Sequence, residues 1–254
     1  MDMPATPTSI DCRVVSIGAL SAHPLWDERQ AVRTGHATTT LVRTTASDDP
    51  KTAVNLLIDP GLPDAALVAR LHERTGLTPS DITHVFLTSF HPETRRAITA
   101  FPDATWLIAP REREAAGVPL AQSLARLAES RQSAKDTGEP LDEDQETMIG
   151  VLQQDVAILQ RCQAAPDTIA QGVDLFPLPG VSEGCTGLLL EGRETTLICG
   201  DAIATIEHLE QGKVLPNCAD REAAKESFEE AVEIADVLVL GRDNLVVNRT
   251  KKMF

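Results

Sequence analysis

The side chains best suited to chemistry follow two apolar runs that are typical of buried strands. His91 and Glu93 come shortly after residues 85–87, and Asp201 follows residues 195–199. Open α/β sheets gather their ligands just beyond the carboxyl ends of such strands. Imidazole and carboxylate groups in that position are typical of a metal-dependent hydrolase. The pattern therefore predicts a polar site assembled from distant parts of the chain.

The charge of the chain excludes two classes of partner. The sequence carries 23 basic and 38 acidic side chains, for a formal net charge of −15. Because nucleic-acid surfaces need basic patches, we expect no nucleic acid as a partner. The same charge disfavours anionic membranes, and no apolar run reaches the roughly 20 residues that span a bilayer. We therefore expect no membrane as a partner. Residues 1–9 lack the basic and apolar segments of a signal peptide, so we expect none.

The cysteines indicate the cellular compartment. The five cysteines are odd in number and lack CxxC spacing. Such a set is typical of a reducing environment, where disulfides are rare. We therefore expect a cytoplasmic protein.

Hydrophobic patterns divide most of the chain into two similar halves. In the first half they predict strands at 12–20, 38–43, 54–58, 82–88 and 104–108, and helices at 63–75 and 91–100. In the second half they predict strands at 173–177, 186–191 and 195–199, a helix at 220–235 and a last strand at 237–240. Strands followed by a helix, given twice, indicate two sheets packed face to face. We expect an α/β fold, a four-layer αβ/βα sandwich of two mixed β-sheets with helices outside, formed by one domain over residues 1–254.

Residues 111–165 differ from both halves because they are charged, Gln-rich and poor in β-branched residues. Apolar residues recur there at helical spacing, at Leu120, Leu124 and Leu127 and again at Ile149, Leu152, Val156 and Leu159. This spacing predicts two amphipathic helices, joined by an exposed loop at 133–146. The helices form either a layer packed on the sheet or an insertion that acts as a lid or a homodimer contact.

The strand-end segments, taken in order, resemble those of the metallo-β-lactamase-fold hydrolase superfamily, in particular its lactonase-like and glyoxalase-II-like branch. The resemblance covers roughly residues 36–110 and 172–245. Residues 57–61 resemble an aspartate-bearing turn, 88–94 the H-x-H-x-D-H motif, 178–185 the P-G-H-T-P-G-H segment, 199–202 a strand-end G-D, and 240–243 a closing G-H-D. The resemblance implies the sandwich fold and a metal-dependent hydrolytic site.

The departures from these motifs imply a degenerate metal-binding site. Only His91 and Asp201 match the family's ligands. Other residues stand at the remaining ligand positions: Ser89, Glu93, Thr94, Cys185 and Arg242. Because the positive charge of an arginine opposes a second cation, the resemblance leaves room for at most one ion.

Four side chains are candidate ligands for zinc or another divalent transition metal: His91, Cys185, Asp201 and Glu93. Zinc accepts imidazole, thiolate and carboxylate groups, so these residues could recreate one site of a binuclear pair. Two alternatives remain open. Cys185 could be a small buried hydrophobic residue instead. Arg242 could pair with Asp201 or Glu93 in place of an ion, and the chain would then hold no metal at all.

Two classes of function follow from these possibilities, and each implies a small-molecule substrate or ligand. In the first, a metal-bound water attacks an ester, lactone or thioester carbonyl. Asp201 or Glu93 then orients or deprotonates the water, and Arg242 stabilises an oxyanion or holds a substrate carboxylate. In the second, the protein is a non-catalytic pseudoenzyme that serves as a binding or scaffolding module.

Overall fold

The computed structural model describes residues 10–137, 143–249 and 251, which form two mixed sheets. The first sheet has the order β1-β2-β3-β4-β5-β6. Its strands are β1 (Asp11–Ser16), β2 (Thr39–Thr45), β3 (Ala53–Ile58), β4 (His84–Leu87), β5 (Thr105–Ile108) and β6 (Gln163–Ala164). The first three strands run antiparallel, whereas β3 to β6 are parallel. Their parallel carboxyl ends therefore meet at one edge.

The second sheet has the order β12-β11-β10-β9-β8-β7. Its strands are β7 (Thr168–Ala170), β8 (Val173–Pro177), β9 (Thr186–Glu191), β10 (Thr195–Ile198), β11 (Val237–Val239) and β12 (Leu245–Val247). Only β10 and β11 pair in parallel. The carboxyl ends of these two strands carry Asp201 and Arg242, respectively.

Six α-helices occur in the described part of the chain: α1 (Asp64–Thr75), α2 (Pro92–Arg95), α3 (Pro110–Thr137), α4 (Glu143–Arg161), α5 (Ile206–Gln211) and α6 (Arg221–Ile234). The predicted ends of α1 and α6 are explained by their flanking residues. Gly76 ends α1 in the left-handed conformation, with φ of 74°. Asp220 begins α6, because its side chain accepts hydrogen bonds from the backbone of Glu222 and Ala223.

The alternation of side chains along the strands produces the layers. Leu56 and Ile58 of β3 face the second sheet, whereas Leu57 between them packs under α1 and α4. In the second sheet, Ile198 faces the first sheet and Leu197 packs under α6. The predicted sandwich of two mixed sheets with helices outside is therefore confirmed.

The predicted helix at 91–100 is wrong in its extent. The chain forms only α2 and a separate 3-10 turn at Ile98–Ala100. A continuous helix would need a bond from the Ala97 N–H to the Glu93 carbonyl. Instead, Ala97 donates to the Pro60 carbonyl, and the Glu93 carbonyl accepts from Ala37. Tertiary hydrogen bonds thus interrupt this helix directly beside the candidate site.

The predicted loop at 133–146 is mostly helical where the structure describes it. Helix α3 continues to Thr137 and α4 begins at Glu143, while residues 138–142 lie outside the described residues. The acidic run at 143–146 favours a helix start, because carboxylates stabilise helix N-termini. The strand at 237–240 is also not the last one, since β12 follows it.

The apolar stripe of α4 is covered within the chain. Ile149 and Leu159 are buried, and Leu152 and Val156 are half-buried. Ile158 and Leu159 join the core beneath the first sheet. A role for this helical pair as a lid or dimer contact stays a prediction. No helix among the described residues is long and apolar enough to cross a membrane.

Candidate functional site

Asp201 lies in a 3-10 turn, Gly200–Ala202, that follows β10. The turn requires glycine at position 200, where φ is 53° and an added Cβ would lie 2.7 Å from the Thr88 hydroxyl. This close approach brings the end of β10 against the end of β4. The two sheets therefore meet where their polar strand ends lie.

Arg242 enters the same place from the end of β11. Its backbone N–H donates to the Ala204 carbonyl over 2.7 Å, and the N–H of Gly241 donates to Ile203 over 3.0 Å. Gly241 packs against the carbonyl of Gly200, where a Cβ would clash. These contacts fix the arginine directly beside the Asp201 turn.

The guanidinium of Arg242 binds two carboxylates from different halves of the molecule. Its Nε and Nη2 donate to the two oxygens of Asp201, each over 2.6 Å, and its Nη1 donates to Glu93. The side chain of Arg242 is 3% exposed, that of Asp201 6% and that of Glu93 21%. A bidentate, charge-assisted pair of this kind is the strongest type of side-chain hydrogen bonding. The pairing that the sequence predicted as an alternative to a metal is therefore observed.

The charge of Arg242 determines the ionisation of Asp201. Burial alone would raise the pKa of Asp201, but the positive charge and hydrogen bonds of Arg242 outweigh it and lower that pKa. Burial opposes the charge on Arg242, yet the Asp201 carboxylate raises the pKa of the guanidinium. Both groups are therefore ionised across the physiological pH range.

A second buried carboxylate, Asp59, lies at the end of β3 and has no such cation. Its two oxygens accept hydrogen bonds from the N–H of Thr88 over 2.9 Å and from the Thr88 hydroxyl over 2.6 Å. Burial raises the pKa of Asp59 to about 7 despite these donors. Its backbone is left-handed, with φ of 50°, which aspartate and asparagine tolerate better than most residues.

Glu112, near the start of α3, was missed by the sequence analysis. Its carboxylate is buried and accepts from the backbone of Phe90 over 2.7 Å and of Gly184 over 3.2 Å. It also accepts from the Ser182 hydroxyl over 2.7 Å. Glu112 thereby joins the segment after β4 to the segment before β9. No sequence motif marks it, because its partners are backbone groups far away along the chain.

The other residues at the predicted ligand positions have different surroundings. His91 is exposed, and its Nδ1 accepts a hydrogen bond from Glu93 N–H. The ring of His91 is nevertheless partly shielded from solvent, and this partial burial, followed by the charge of Arg242, lowers the pKa of His91. The hydroxyl of Thr94 donates to the backbone carbonyls of Ser89 and His91. The Ser89 hydroxyl is buried and has no partner among the described residues.

The predicted metal ligands do not fit a divalent ion. Both oxygens of Asp201 and one of Glu93 are bound by the guanidinium of Arg242, a cation that an ion would have to displace. The Cys185 thiol is 1% exposed, and burial raises its pKa well above the usual range, so the thiol is protonated in this structure. His91 lines the neighbouring cleft, but its Nδ1 already accepts the Glu93 N–H. Within the described ranges, no three histidine, cysteine, aspartate or glutamate side chains are grouped to hold a metal.

A cleft of about 450 Å³ opens beside this centre. Ser89, His91 and Asp201 line it together with the first half of α3 and the segment around Ser182. Its volume lies within the ~300–1,000 Å³ range of small-molecule sites. His91 and Asp201, which come from different sheets, thus share one cleft.

His23 belongs to a separate cluster. Its Nε2 lies 3.1 Å from the Thr205 hydroxyl and 3.3 Å from a carboxylate oxygen of Glu207. The Thr205 hydroxyl also lies 2.9 Å from Nδ1 of His208. Burial, followed by the charge of His23, lowers the pKa of His208 to about 4. This cluster anchors the loop before β2 to α5.

Comparison with known proteins identifies the fold of this chain but no sequence family to which it belongs. No family model matches the sequence, and no curated protein matches it either. Solved structures do match. A protein from Thermotoga maritima assigned as a metallo-β-lactamase is 16% identical, with a TM-score of 0.58, over 94% of this chain and 99% of its own.

Two further structures have the same architecture. A Staphylococcus aureus protein assigned as a metal-dependent hydrolase is 15% identical, with a TM-score of 0.60, over 96% of this chain and 94% of its own. The dizinc quorum-quenching lactonase AidC is 17% identical, with a TM-score of 0.59, over 83% of this chain and 75% of its own. At these identities the likeness concerns the fold, and the chain has the metallo-β-lactamase fold.

Proposed function

We propose that this protein is a non-catalytic, metal-independent variant of the metallo-β-lactamase fold that binds a small molecule in the cleft beside Arg242. One observation carries the proposal: the guanidinium of Arg242 forms hydrogen bonds with both Asp201 and Glu93. The two acids thus already have a counter-charge. In this proposal Arg242 supplies the electrostatic role that the fold otherwise gives to a metal ion.

The energetics of burial support the replacement. A buried carboxylate without a counter-charge is costly, and Asp201 is 6% exposed. The guanidinium neutralises Asp201 and part of the charge on Glu93 from inside the protein. A metal ion would have to remove Arg242 from this pair, which would leave a buried arginine unpaired. The resident pair therefore disfavours metal uptake.

The surroundings of the cleft also favour binding over hydrolysis. Metal-dependent hydrolysis needs a water that the ion activates. Hydrolysis without a metal needs a nucleophile beside a base, and the described side chains that line the cleft do not supply such a pair. The Ser89 hydroxyl has no hydrogen-bond partner in the described structure, so no base activates it. Asp201 uses both oxygens on Arg242.

The direct test combines metal analysis with activity. Protein purified without chelator is examined by elemental analysis, then assayed against a lactone, an ester and a thioester with and without added zinc or manganese. The proposal expects metal well below one ion per chain and hydrolysis at the rate of buffer alone. Chelator-sensitive turnover of any of the three substrates would instead establish the single-metal hydrolase that the sequence left open.

A further inference from the structure

The loop at residues 19–36, between β1 and β2, packs against both halves of the molecule. On one side His23 lies against Thr205, directly before α5. On the other side Gly35 lies against Glu93, since an added Cβ at position 35 would clash with the Glu93 carboxylate. The loop therefore connects the His23 cluster to the candidate site.

We propose that this loop is an acid-sensitive closure: it stays attached to α5 while His23 and His208 are neutral, and it detaches when a proton binds to this pair. The inference goes beyond the proposed function, because it concerns a different cluster and does not depend on what the cleft binds. The hydrogen bonding around one hydroxyl group, that of Thr205, carries it.

The Thr205 hydroxyl determines which imidazole nitrogens carry protons. Its oxygen lies 2.7 Å from a carboxylate oxygen of Glu207, 3.1 Å from Nε2 of His23 and 2.9 Å from Nδ1 of His208. Partial burial would raise the pKa of Glu207, but its hydrogen bonds from Thr205 and from its own backbone N–H lower it. A hydroxyl has one proton and a carboxylate can only accept, so Thr205 donates to Glu207. Both imidazoles must then donate to the hydroxyl oxygen, His23 through Nε2 and His208 through Nδ1.

The second nitrogen of each ring is unpaired. A neutral imidazole carries one N–H, so Nδ1 of His23 and Nε2 of His208 are bare acceptors. Both atoms are buried, and neither has a hydrogen-bond partner among the described residues. A proton added at either nitrogen would create a buried, positively charged N–H without an acceptor, which is costly. The closed loop therefore fits two neutral rings.

Trp26, in the same loop, covers His23. The Trp26 ring stacks on that of His23, with ring centres 4.1 Å apart and planes at 10°. The ring of His208 lies 5.4 Å from that of His23, and both histidines are buried. The two rings therefore gain contact with water when the loop leaves α5.

The charged groups around the pair act on His208 in both directions. Burial and the charges of His23 and Lys213 lower the pKa of His208 to about 4, although Glu207 and Asp201 act to raise it. The first group of effects is the larger, so the closed loop opposes a proton on His208.

Two further carboxylates near the pair are already occupied. Glu28 accepts from the His23 backbone N–H over 2.6 Å and forms an ion pair with Arg33 of the same loop. Asp243, which follows β11, accepts from the Ile206 N–H at the start of α5 over 3.2 Å. Neither carboxylate is a partner of the two unpaired nitrogens.

The direction of the pH effect follows from this arrangement. The closed loop binds a proton at His208 less tightly than an open loop would, so closure is favoured above pH ~6.5 and weakens as the pH falls towards 4. With the ordinary pKa of about 6.5 in the open loop, the ratio of open to closed molecules rises about 30-fold between pH 7.5 and pH 5. This is the largest effect that His208 can give.

Hydrogen exchange measures the opening. No residue from 19 to 36, all of which the structure describes, belongs to the hydrophobic core. The internal hydrogen bonds of the loop, such as those from Trp26 N–H to His23 and from Val32 N–H to Ser21, should therefore open when it detaches.

The protection of the Trp26 and Val32 N–H groups is measured by NMR at pH 7.5 and pH 5 and corrected for the pH dependence of free amides. It should fall by up to about 30-fold in acid. Amides of β3 and β4 are the reference for global unfolding. No fall at Trp26 and Val32 beyond that of the reference would overturn the inference.

Matched variants separate the effect of the proton from that of packing. His208→Asn keeps a donor close to the position of Nδ1 but does not titrate, so the acid-dependent loss of protection should disappear. His72→Asn, at an exposed position of α1, is the control and should behave as the parent protein. The same loss in His208→Asn as in the parent would reject His208 as the group that takes up the proton, and the proposal with it.

Nitrogen NMR of the parent protein tests the hydrogen bonding directly and needs no variant. At pH 7.5 we expect neutral His23 to carry its proton on Nε2 and neutral His208 on Nδ1. The opposite tautomer in either ring would overturn the inference. None of these measurements involves a metal ion or a ligand of the cleft, so their failure would not contradict the proposed function, and zinc uptake would contradict that function alone.

Discussion

Asp59 and Asp201 are both buried carboxylates at strand ends, yet their surroundings drive their charges in opposite directions. Asp201 has a bidentate arginine, and its pKa falls below the ordinary value. Asp59 has only the backbone and hydroxyl of Thr88, and burial raises its pKa to about 7. A guanidinium therefore holds the pKa of a buried acid below its ordinary value, whereas two neutral donors do not offset the effect of burial. The comparison identifies Arg242 as the residue on which the charge of the site depends.

Removing Arg242 should have the largest effect on stability. Arg242→Ala leaves Asp201 and Glu93 without their cation, and breaking a buried pair costs about 3–5 kcal/mol of unfolding free energy. Urea denaturation measures the loss. The matched control is Arg70→Ala, since Arg70 forms an exposed pair with Glu73 and should matter by less than ~0.5 kcal/mol. Equal stability of the two variants would show that the Arg242 pairs contribute nothing.

The two aspartates should give opposite pH dependences. For Asp59, the folded protein binds a proton more tightly than the unfolded chain, so the free energy of unfolding should fall as pH rises from about 4 to 7. One pKa unit corresponds to about 1.4 kcal/mol, so this contribution reaches at most ~4 kcal/mol. Asp201, with its lowered pKa, instead stabilises the fold at neutral pH and loses that effect in acid.

Asp59→Asn isolates the first of these slopes. Asparagine tolerates the left-handed backbone and keeps an oxygen for the Thr88 N–H. The free energy of unfolding of the variant minus that of the parent protein should be larger at pH 7.5 than at pH 5. Urea denaturation of both proteins between pH 4.5 and 8 measures this. A stability difference that does not change with pH would mean that Asp59 is ionised at both ends of the range.

Glu112 extends the comparison to an acid that is held by several neutral donors. In Glu112→Gln the single amide oxygen replaces only one of the two carboxylate oxygens. It therefore cannot accept from both the Phe90 N–H and the Gly184 N–H, which bind different oxygens of Glu112. One buried donor then loses its partner, at a cost of about 1–3 kcal/mol. Glu114→Gln on the same helix is the control. Equal unfolding free energies for the two variants would show that Glu112 does not join the two halves.

The sequence predicted much of this arrangement because strand ends are visible as apolar runs that stop at polar residues. That pattern placed Glu93 and Asp201 at one edge, the resemblance to the metallo-β-lactamase fold added Arg242, and the order of the strands predicted the fold. It could not show Glu112, whose partners are backbone groups, or the interruption after α2, where the Ala97 N–H bonds to Pro60. Both depend on tertiary hydrogen bonds that leave no periodic signal.

Zinc titration of the parent protein and of Arg242→His, followed by calorimetry and thermal melting, tests the central claim most directly. Histidine removes the permanent charge and offers a neutral ligand beside Asp201, His91 and Glu93. We predict no measurable zinc binding to the parent and a zinc-dependent rise in melting temperature for Arg242→His alone. Tight zinc binding by the parent protein, or no gain in the histidine variant, would contradict the account in which Arg242 stands in place of a metal.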